Sequence, residues 1–349
     1  MSDVTEPFIS IGIPTHKRHD YTRLAIESAA GQDYANFEVL INDESKDRQS
    51  QTIAEALRSD KVIYRHTPHL AGLPKKLNDF LETARGEWLA ILCDDDLFEK
   101  DFLKTLSAHI LKHPDAAVIR PRYKLIGLNN QLIRLDRYQK FLTTPFEFLS
   151  ELFLPERHNF KMNISGILFR RSFLKQWGGF REYPKGWHID RLALAQVGSL
   201  GPCLCEEKAL CGIRLHPSSI TSGLEPDYEA AVETTLKMKK ELEKVLDFMA
   251  PQAKNDEEKR LLALARERVI SFTVRHLSRS MDHGLMAALY QNGKAVRPEI
   301  KKIFKKIDEL GIPKFRSAYL YQGLACLPQN LRMPFLKLLR AYKLKRLTS

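Results

Sequence analysis

Three consecutive aspartates, Asp94, Asp95 and Asp96, are the residues of this sequence best suited to chemistry. They follow the apolar run WLAIL (residues 88–92), whose composition predicts a buried strand. Carboxylates this close repel one another, and apolar surroundings strengthen the repulsion. A divalent cation relieves it, because Mg2+ and Mn2+ take oxygen ligands and often share them with nucleotide phosphates. The triplet therefore predicts a Mn2+ or Mg2+ site, and the alternative is an acidic, solvated turn.

The sequence around the triplet alternates between predicted strands and predicted helices. Strands are expected at residues 8–14, 37–41, 62–64 and 88–92, and helices at about 20–30, 48–57, 74–84 and 100–112. This alternation is typical of βαβ units in a parallel sheet, where ligands bind outside the carboxyl ends of the strands. Thr15, Asp43 and the aspartate triplet all fall at such ends. Beyond residue 226 the pattern is almost entirely helical.

Composition and charge narrow the class of protein. The 349 residues are 44% hydrophobic and carry a net charge of +12, and residues 225–349 hold 25 basic against 15 acidic side chains. This asymmetry favours an anionic partner, either a membrane surface or a nucleic acid. No apolar run approaches the roughly 20 residues that span a bilayer. The five cysteines, without an export signal, predict reduced thiols in the cytoplasm.

An ordered set of motifs resembles family 2 glycosyltransferases with the A-type nucleotide-sugar fold. The motifs are IGIPT (11–15), VLINDESKD (39–47), GLPKKLN (72–78), ARGEWLAILCDDD (84–96), NISGILFRR (163–171), GGFR (178–181), WHID (187–190) and IRLH (213–216) with Ser218 and Ser219. Asn42 and Glu44 stand where the family has an aspartate and a glycine. The resemblance covers about residues 8–222.

The resemblance implies an α/β fold with a mostly parallel sheet flanked by helices (GT-A, Rossmann-like). It divides the chain into a nucleotide-sugar half at residues 1–115 and an acceptor half at 116–222. A basic helical region, residues 223–349, would follow and contact a membrane surface or a second copy of the chain.

On the nucleotide side, the resemblance implies that Asp43 hydrogen-bonds a uracil-type base and that Thr15 lines the nucleotide pocket. Lys75 or Lys76 would contact a phosphate, with Lys75 as the first candidate. The alternatives are an Asp43 that makes local turn bonds and lysines on a solvated helix face.

Five further positions are implied to hold the metal and the diphosphate. One of Asp94 and Asp95 would meet the ribose, and Asp96 would ligate Mn2+ or Mg2+, with Asp94 and His216 as further metal ligands. Arg214 or His216 would reach the diphosphate or the metal as a loop closes, since a neutral imidazole is a common ligand. The alternative for His216 is a surface histidine without a ligand.

On the acceptor side, the resemblance implies that Asp190 is the general base of an inverting transferase, facing the acceptor hydroxyl. The alternative is that Asp190 caps the following helix. Gly178 and Gly179 would permit close approach of backbone and substrate.

Together these residues predict transfer of a sugar from a nucleoside diphosphate sugar, UDP-sugar first, to a saccharide or lipid-linked saccharide. The basic, apolar segment at residues 331–346 favours an anionic membrane surface, which would place the protein in the cytoplasm on the inner face of the plasma membrane. A nucleotidyltransferase would carry a glycine-rich loop, which residues 15–19 lack. A non-catalytic nucleic-acid-binding protein lacks support from any recognised motif, so no nucleic acid is expected. An inactive transferase and a homodimer stay open.

Overall fold

The computed structural model describes residues 6–137, 140–154, 163–216, 228–290 and 296–309. Two compact units emerge. The first combines the described residues up to 216 with residues 240–269, and the second combines residues 228–239 with the described residues from 270 onward. All predicted donor and acceptor residues that are described lie in the first unit. Ser218, Ser219 and the basic segment at 331–346 lie outside the described residues.

The strands of the first unit form a single mixed sheet. Their bounds are β1 (Ile9–Thr15), β2 (Phe37–Asp43), β3 (Val62–His66), β4 (Trp88–Ile91), β5 (Leu97–Phe98), β6 (Val118–Ile126), β7 (Leu132–Leu135), β8 (Leu142–Thr143), β9 (Leu168–Arg170) and β10 (Cys203–Arg214). The sheet order is β3-β2-β1-β4-β9-β6-β10-β5, with β7 paired to β6 and β8 paired to β10.

Strand direction brings the predicted site residues to one edge. The pairs β1–β2, β2–β3, β1–β4 and β6–β10 are parallel. Because β9 is antiparallel to both β4 and β6, the strands β6 and β10 run in the same direction as β1 to β4. The carboxyl ends of six strands therefore share one edge of the sheet, as the resemblance implied for a mostly parallel sheet.

Helices cover the sheet and continue after it. Their bounds are α1 (His19–Ala30), α2 (Gln49–Ala56), α3 (Leu73–Thr83), α4 (Phe102–Lys112), α5 (Pro145–Leu152), α6 (Arg171–Gln176), α7 (Ile189–Gly198), α8 (Tyr228–Met249), α9 (Asp256–Tyr290) and α10 (Val296–Glu309). Strands β1 and β2 are buried along their whole length. Burial of both faces explains the apolar residues that predominate in β1 and in the first part of β2.

The described helical residues from 228 onward are divided between the two units. Residues 240–269 belong to the first unit, where the Arg181 guanidinium lies 2.8 Å from the Glu241 carboxylate. Trp177 packs edge-on against Phe248 in the same unit. Helical periodicity alone does not reveal which helical segment packs with a sheet domain, so the sequence made no such division within residues 223–349.

Asn78 joins α3 to the loop after α6 through two hydrogen bonds. Its side-chain amide donates to the carbonyl of Phe180 and accepts from the amide of Phe180, both at 2.8 Å. Gly179, with φ at +77°, lies so close that a Cβ there would be 2.6 Å from Asn78 Oδ1. The close approach predicted at the twin glycines is thus an approach to the Asn78 side chain.

Among the described segments, no helix combines the length and the apolar character that crossing a bilayer requires.

Candidate active site

Arg18 forms ion pairs with two of the three clustered aspartates. Its Nη1 lies 3.1 Å from Asp94 Oδ1 and 2.5 Å from Asp95 Oδ2. The backbone amide of His16 donates to the other oxygen of Asp94 at 3.0 Å. Arg18 is the residue before α1, and Asp20 lies in the first turn of that helix. Sequence reasoning missed Arg18 because its contact spans β1 and β4, which are distant in sequence.

Asp94 lies in an apolar setting that disfavours its charge. Burial raises the pKa of Asp94 to about 6, and Asp95 adds repulsion, while Arg18 and the His16 amide lower it. Burial outweighs the arginine because desolvation penalises the charged form directly. The carboxylate cluster is thus held by an internal cation that only partly compensates its cost.

Asp96 is buried, and both of its carboxylate oxygens accept hydrogen bonds from the protein. Ser165 Oγ donates to Asp96 Oδ2 at 2.6 Å, and the backbone amide of Arg214 donates to Oδ1 at 2.9 Å. Ser165 Oγ also accepts a hydrogen bond from the Cys93 amide at 2.9 Å. We call residues 93–96 the acidic loop, and this one hydroxyl bridges its start and its end. Ser165 positions Asp96. Ser165 belongs to the motif NISG (163–166), but its distance in sequence from the aspartate triplet did not predict that the two would be in contact.

Arg214 and His216 approach the loop from the end of β10. Arg214 Nε donates to the carbonyl of Asp95 at 2.8 Å, and its Nη1 donates to the carbonyls of Gly127 and Leu128 at 2.9 and 3.1 Å. His216 Nε2 lies 2.8 Å from Asp95 Oδ2. The structure therefore brings both predicted residues to Asp95, and His216 orients that carboxylate through a hydrogen bond.

The predicted nucleotide residues lie at the ends of β1 and β2. Thr15 Oγ1 is 3.2 Å from Thr22 Oγ1. Asp43 is fully buried: its Oδ1 accepts from Ser45, and its Oδ2 accepts from the Tyr64 hydroxyl at 3.0 Å. Burial and the neighbouring Asp43 raise the pKa of Tyr64, so the phenol keeps its proton. The hydrogen bond from the Ser45 amide is the local turn bond that was the alternative for Asp43. Asp43 can make this bond and also bind a base, because each carboxylate oxygen accepts more than one hydrogen bond.

Lys76, rather than Lys75, faces the strand ends. Lys76 Nζ lies 2.8 Å from Glu44 Oε1 and donates to the carbonyl of Thr15 at 3.3 Å, whereas Lys75 is exposed. Glu44 also accepts from the Gly72 amide at 2.8 Å. Burial raises the pKa of Glu44, but the Lys76 and Gly72 bonds outweigh it and the net shift is downward. Glu44, noted only as a departure from the family pattern, connects β2 to α3.

Asp190 lies in the first turn of α7, which begins at Ile189. The helix cap is His188, so Asp190 does not occupy the capping position that the alternative assigned to it. Its Oδ1 accepts from the Arg191 amide at 2.7 Å. His188 has φ at +62°, a left-handed conformation that costs a non-glycine residue roughly 1–2 kcal/mol. Strained backbone of this kind is concentrated at functional sites.

One cluster among the described residues has metal-ligand spacing. One ligand atom each of Cys93, Asp95 and Asp96 lies within 4.8 Å of the others. Burial, with Asp96 and Asp95 nearby, raises the pKa of the Cys93 thiol well above its usual value, so the sulfur stays protonated and is a poor ligand. The two carboxylates supply the oxygens that a hard divalent cation prefers. The donor set fits Mn2+ or Mg2+, with Asp95 and Asp96 as ligands; Asp94 and His216 lie outside this cluster.

Comparison with known proteins identifies the sheet domain. Residues 10–178 match the sequence model of the family described as glycosyl transferase family 2. A protein of Escherichia coli K12, WcaA, named as a colanic acid biosynthesis glycosyl transferase, is 32% identical over 105 residues, which are 30% of this chain and 38% of that protein. The chain spans between 15% and 38% of the length of the first five curated relatives that it matches.

Solved structures of two proteins share the fold. TarS of S. aureus, residues 1–349, has a TM-score of 0.56 at 18% identity over 80% of each chain. Its complex with UDP-GlcNAc has a TM-score of 0.53 over 86% of this chain and 90% of that chain. The mannosyltransferase PcManGT of Pyrobaculum calidifontis, in complex with GDP-Man and Mn2+, has a TM-score of 0.51 at 14% identity over 95% and 86% of the two chains. Residues 10–178, just under half of the chain, are thus similar in sequence to glycosyl transferase family 2.

Proposed function

We propose that this chain transfers a sugar from a nucleoside diphosphate sugar to an acceptor hydroxyl. The observation that carries the proposal is the meeting, at one sheet edge, of the β1, β2, β4 and β10 carboxyl ends. That edge holds Thr15, Asp43, the acidic triplet and Arg214. The complexes of TarS with UDP-GlcNAc and of PcManGT with GDP-Man support a nucleotide-sugar donor. A UDP-sugar is our first candidate, with Thr15 and Asp43 at the nucleotide.

A divalent cation, Mn2+ or Mg2+, would supply charge neutralisation for the diphosphate as the sugar bond breaks. Asp95 and Asp96 are the residues that would hold it. Arg214 fixes the backbone of Asp95, and His216 fixes its carboxylate, so the acidic loop is oriented before a donor arrives. Lys76 provides a buried cation beside the end of β1, suited to a phosphate oxygen.

Asp190 is the proposed general base. It would accept the proton of the acceptor hydroxyl as that oxygen attacks the anomeric carbon from the side opposite the diphosphate, with inversion. The acceptor that we propose is a saccharide or lipid-linked saccharide in cell-surface polysaccharide synthesis, at the cytoplasmic face of the membrane. The name of the related WcaA supports the polysaccharide context.

Isothermal titration of UDP, GDP and dTDP into the protein, with and without Mn2+, tests the donor claim. We expect one nucleotide to bind with a dissociation constant that falls at least about tenfold when Mn2+ is present, a difference of about 1.4 kcal/mol. Absence of binding by all three nucleotides under both conditions would remove the central claim of a donor site.

Asp190→Asn should lower turnover about 100-fold or more, because a positioned base contributes roughly 10²–10⁴-fold. The measurement is release of UDP from UDP-sugars by slow transfer to water, with nucleotide affinity measured in parallel and expected to stay unchanged. Asp20→Asn is the matched control, since Asp20, like Asp190, is an acid in the first turn of a helix, and it is exposed. Wild-type turnover in Asp190→Asn would exclude Asp190 as the base.

A further inference from the structure

The hairpin formed by β6 and β7 presents an apolar surface to solvent. Leu128 is 50% exposed, Leu132 58%, Ile133 51% and Leu135 45%. We call these four residues the hairpin patch. All four residues of β7 are exposed, and β7 pairs with β6 at the margin of the sheet. Exposed edge strands usually carry charges that block association. Strand β7, Leu-Ile-Arg-Leu, has three apolar residues and one charge, which indicates that this surface binds another surface when the protein functions.

The hairpin patch adjoins the candidate active site. The turn that follows β6 leaves the same sheet edge as the acidic loop, because β6 runs parallel to β4. Arg214 Nη1 donates to the carbonyls of Gly127 and Leu128 in that turn, while its Nε holds the carbonyl of Asp95. A single guanidinium therefore connects the hairpin turn to the acidic loop.

The exposed charge of the hairpin is positive. Arg134 and Arg137 are exposed, and within the described part of the chain neither forms an ion pair. The acidic residue of this segment, Asp136, is buried and lies 3.3 Å from the Arg120 guanidinium. Apolar side chains interleaved with unpaired arginines match a bilayer with anionic lipids. Its acyl chains can bury the apolar side chains, and its anionic headgroups attract the arginines.

We propose that the hairpin patch docks this chain onto an anionic lipid bilayer, with the acidic loop held next to the lipid surface. A second copy of the chain fits the patch less well. A two-fold contact would place the arginines of one hairpin against the same arginines of the other. In addition, the pairing register shifts between Leu125 and Ile126, an irregularity that hinders regular edge-to-edge pairing. This inference rests on the proposed function, because it supplies the route to a lipid-linked acceptor.

Flotation of the full chain with vesicles of phosphatidylcholine, with and without phosphatidylglycerol, tests the charge requirement. We expect binding to the anionic vesicles. Because each arginine near an anionic surface contributes roughly fivefold to partitioning, Arg134→Gln/Arg137→Gln should lower partitioning about 25-fold. Leu132→Asn/Ile133→Asn should lower binding to a similar degree. The matched control is Leu111→Asn/Ile63→Asn, which changes two exposed aliphatic residues elsewhere on the same unit.

Contact at the hairpin itself is tested with Ile133→Trp and lipids brominated on their acyl chains. We expect quenching of the added tryptophan fluorescence, relative to wild type, and none for Leu111→Trp. Vesicle binding without quenching at position 133 would overturn the proposal, since another segment would then make the contact. Loss of self-association in Leu132→Asn/Ile133→Asn, with no lipid binding by wild type, would assign the patch to a second copy. Both measurements omit nucleotide, so their failure is distinguishable from failure of donor binding.

Discussion

Asp95→Asn should abolish the cation-dependent part of nucleotide binding and weaken affinity in Mn2+ by about 100-fold or more, because a metal that bridges protein and diphosphate contributes several kcal/mol. Asp95 is the informative position because its carboxylate is bonded by Arg18 and His216 on one oxygen, Oδ2. Titration calorimetry in the presence and absence of Mn2+ measures the effect.

One control and one second ligand variant accompany Asp95→Asn. Asp33→Asn removes an exposed carboxylate far from the acidic loop in sequence and should bind nucleotide as wild type does. Asp96→Asn removes the second proposed cation ligand, so it should also weaken Mn2+-dependent binding. It should in addition lower the melting temperature, because an amide cannot accept hydrogen bonds at both positions where Asp96 now accepts from Ser165 and Arg214. Unchanged Mn2+-dependent affinity in Asp95→Asn would show that the cation is held by other residues.

Arg18→Met should destabilise the protein by about 2–4 kcal/mol, since it leaves Asp94 and Asp95 largely buried without their cation. Mn2+ should stabilise Arg18→Met more than it stabilises the wild-type protein. Mn2+ would replace the lost positive charge, so its addition should raise the melting temperature of Arg18→Met by several degrees more than that of wild type. Thermal unfolding across a Mn2+ titration, without nucleotide, measures both effects.

Arg23→Met is the matched control for Arg18→Met. Arg23 is an exposed arginine of α1, and its loss should change neither stability nor the response to Mn2+. If Arg18→Met were destabilised and Mn2+ restored nothing, the carboxylates beside Arg18 would not be the cation site.

The sheet and its acidic loop were predictable because their signals are local. The apolar run before Asp94 and the alternation of strands and helices follow from residues that are neighbours in sequence. Arg18, Ser165 and Glu44 were not identified, because their contacts depend on which strands are adjacent. Ser165, for example, meets Asp96 only because β9 lies beside β4.

The sequence alone could have predicted that Lys76, and not Lys75, lies on the buried face of α3. Adjacent residues of a helix point about 100° apart, so only one of two neighbouring lysines can lie on its buried face. Leu73, Leu77 and Phe80 mark that face of α3, and Lys76 falls between them at helical spacing. The prediction of Lys75 as first candidate did not use this spacing. The partner on the other side, Glu44, required the structure.

The bond between Asn78 and the Phe180 backbone has a consequence for directed evolution of this chain. Any side chain at position 179 must enter space that Asn78 Oδ1 occupies, and it must also adopt a left-handed backbone. Libraries that vary one position at a time will therefore score both sites as intolerant. Effects at contacting sites are not additive, so only combined libraries of Asn78 and Gly179 can reveal which replacements the loop after α6 accepts.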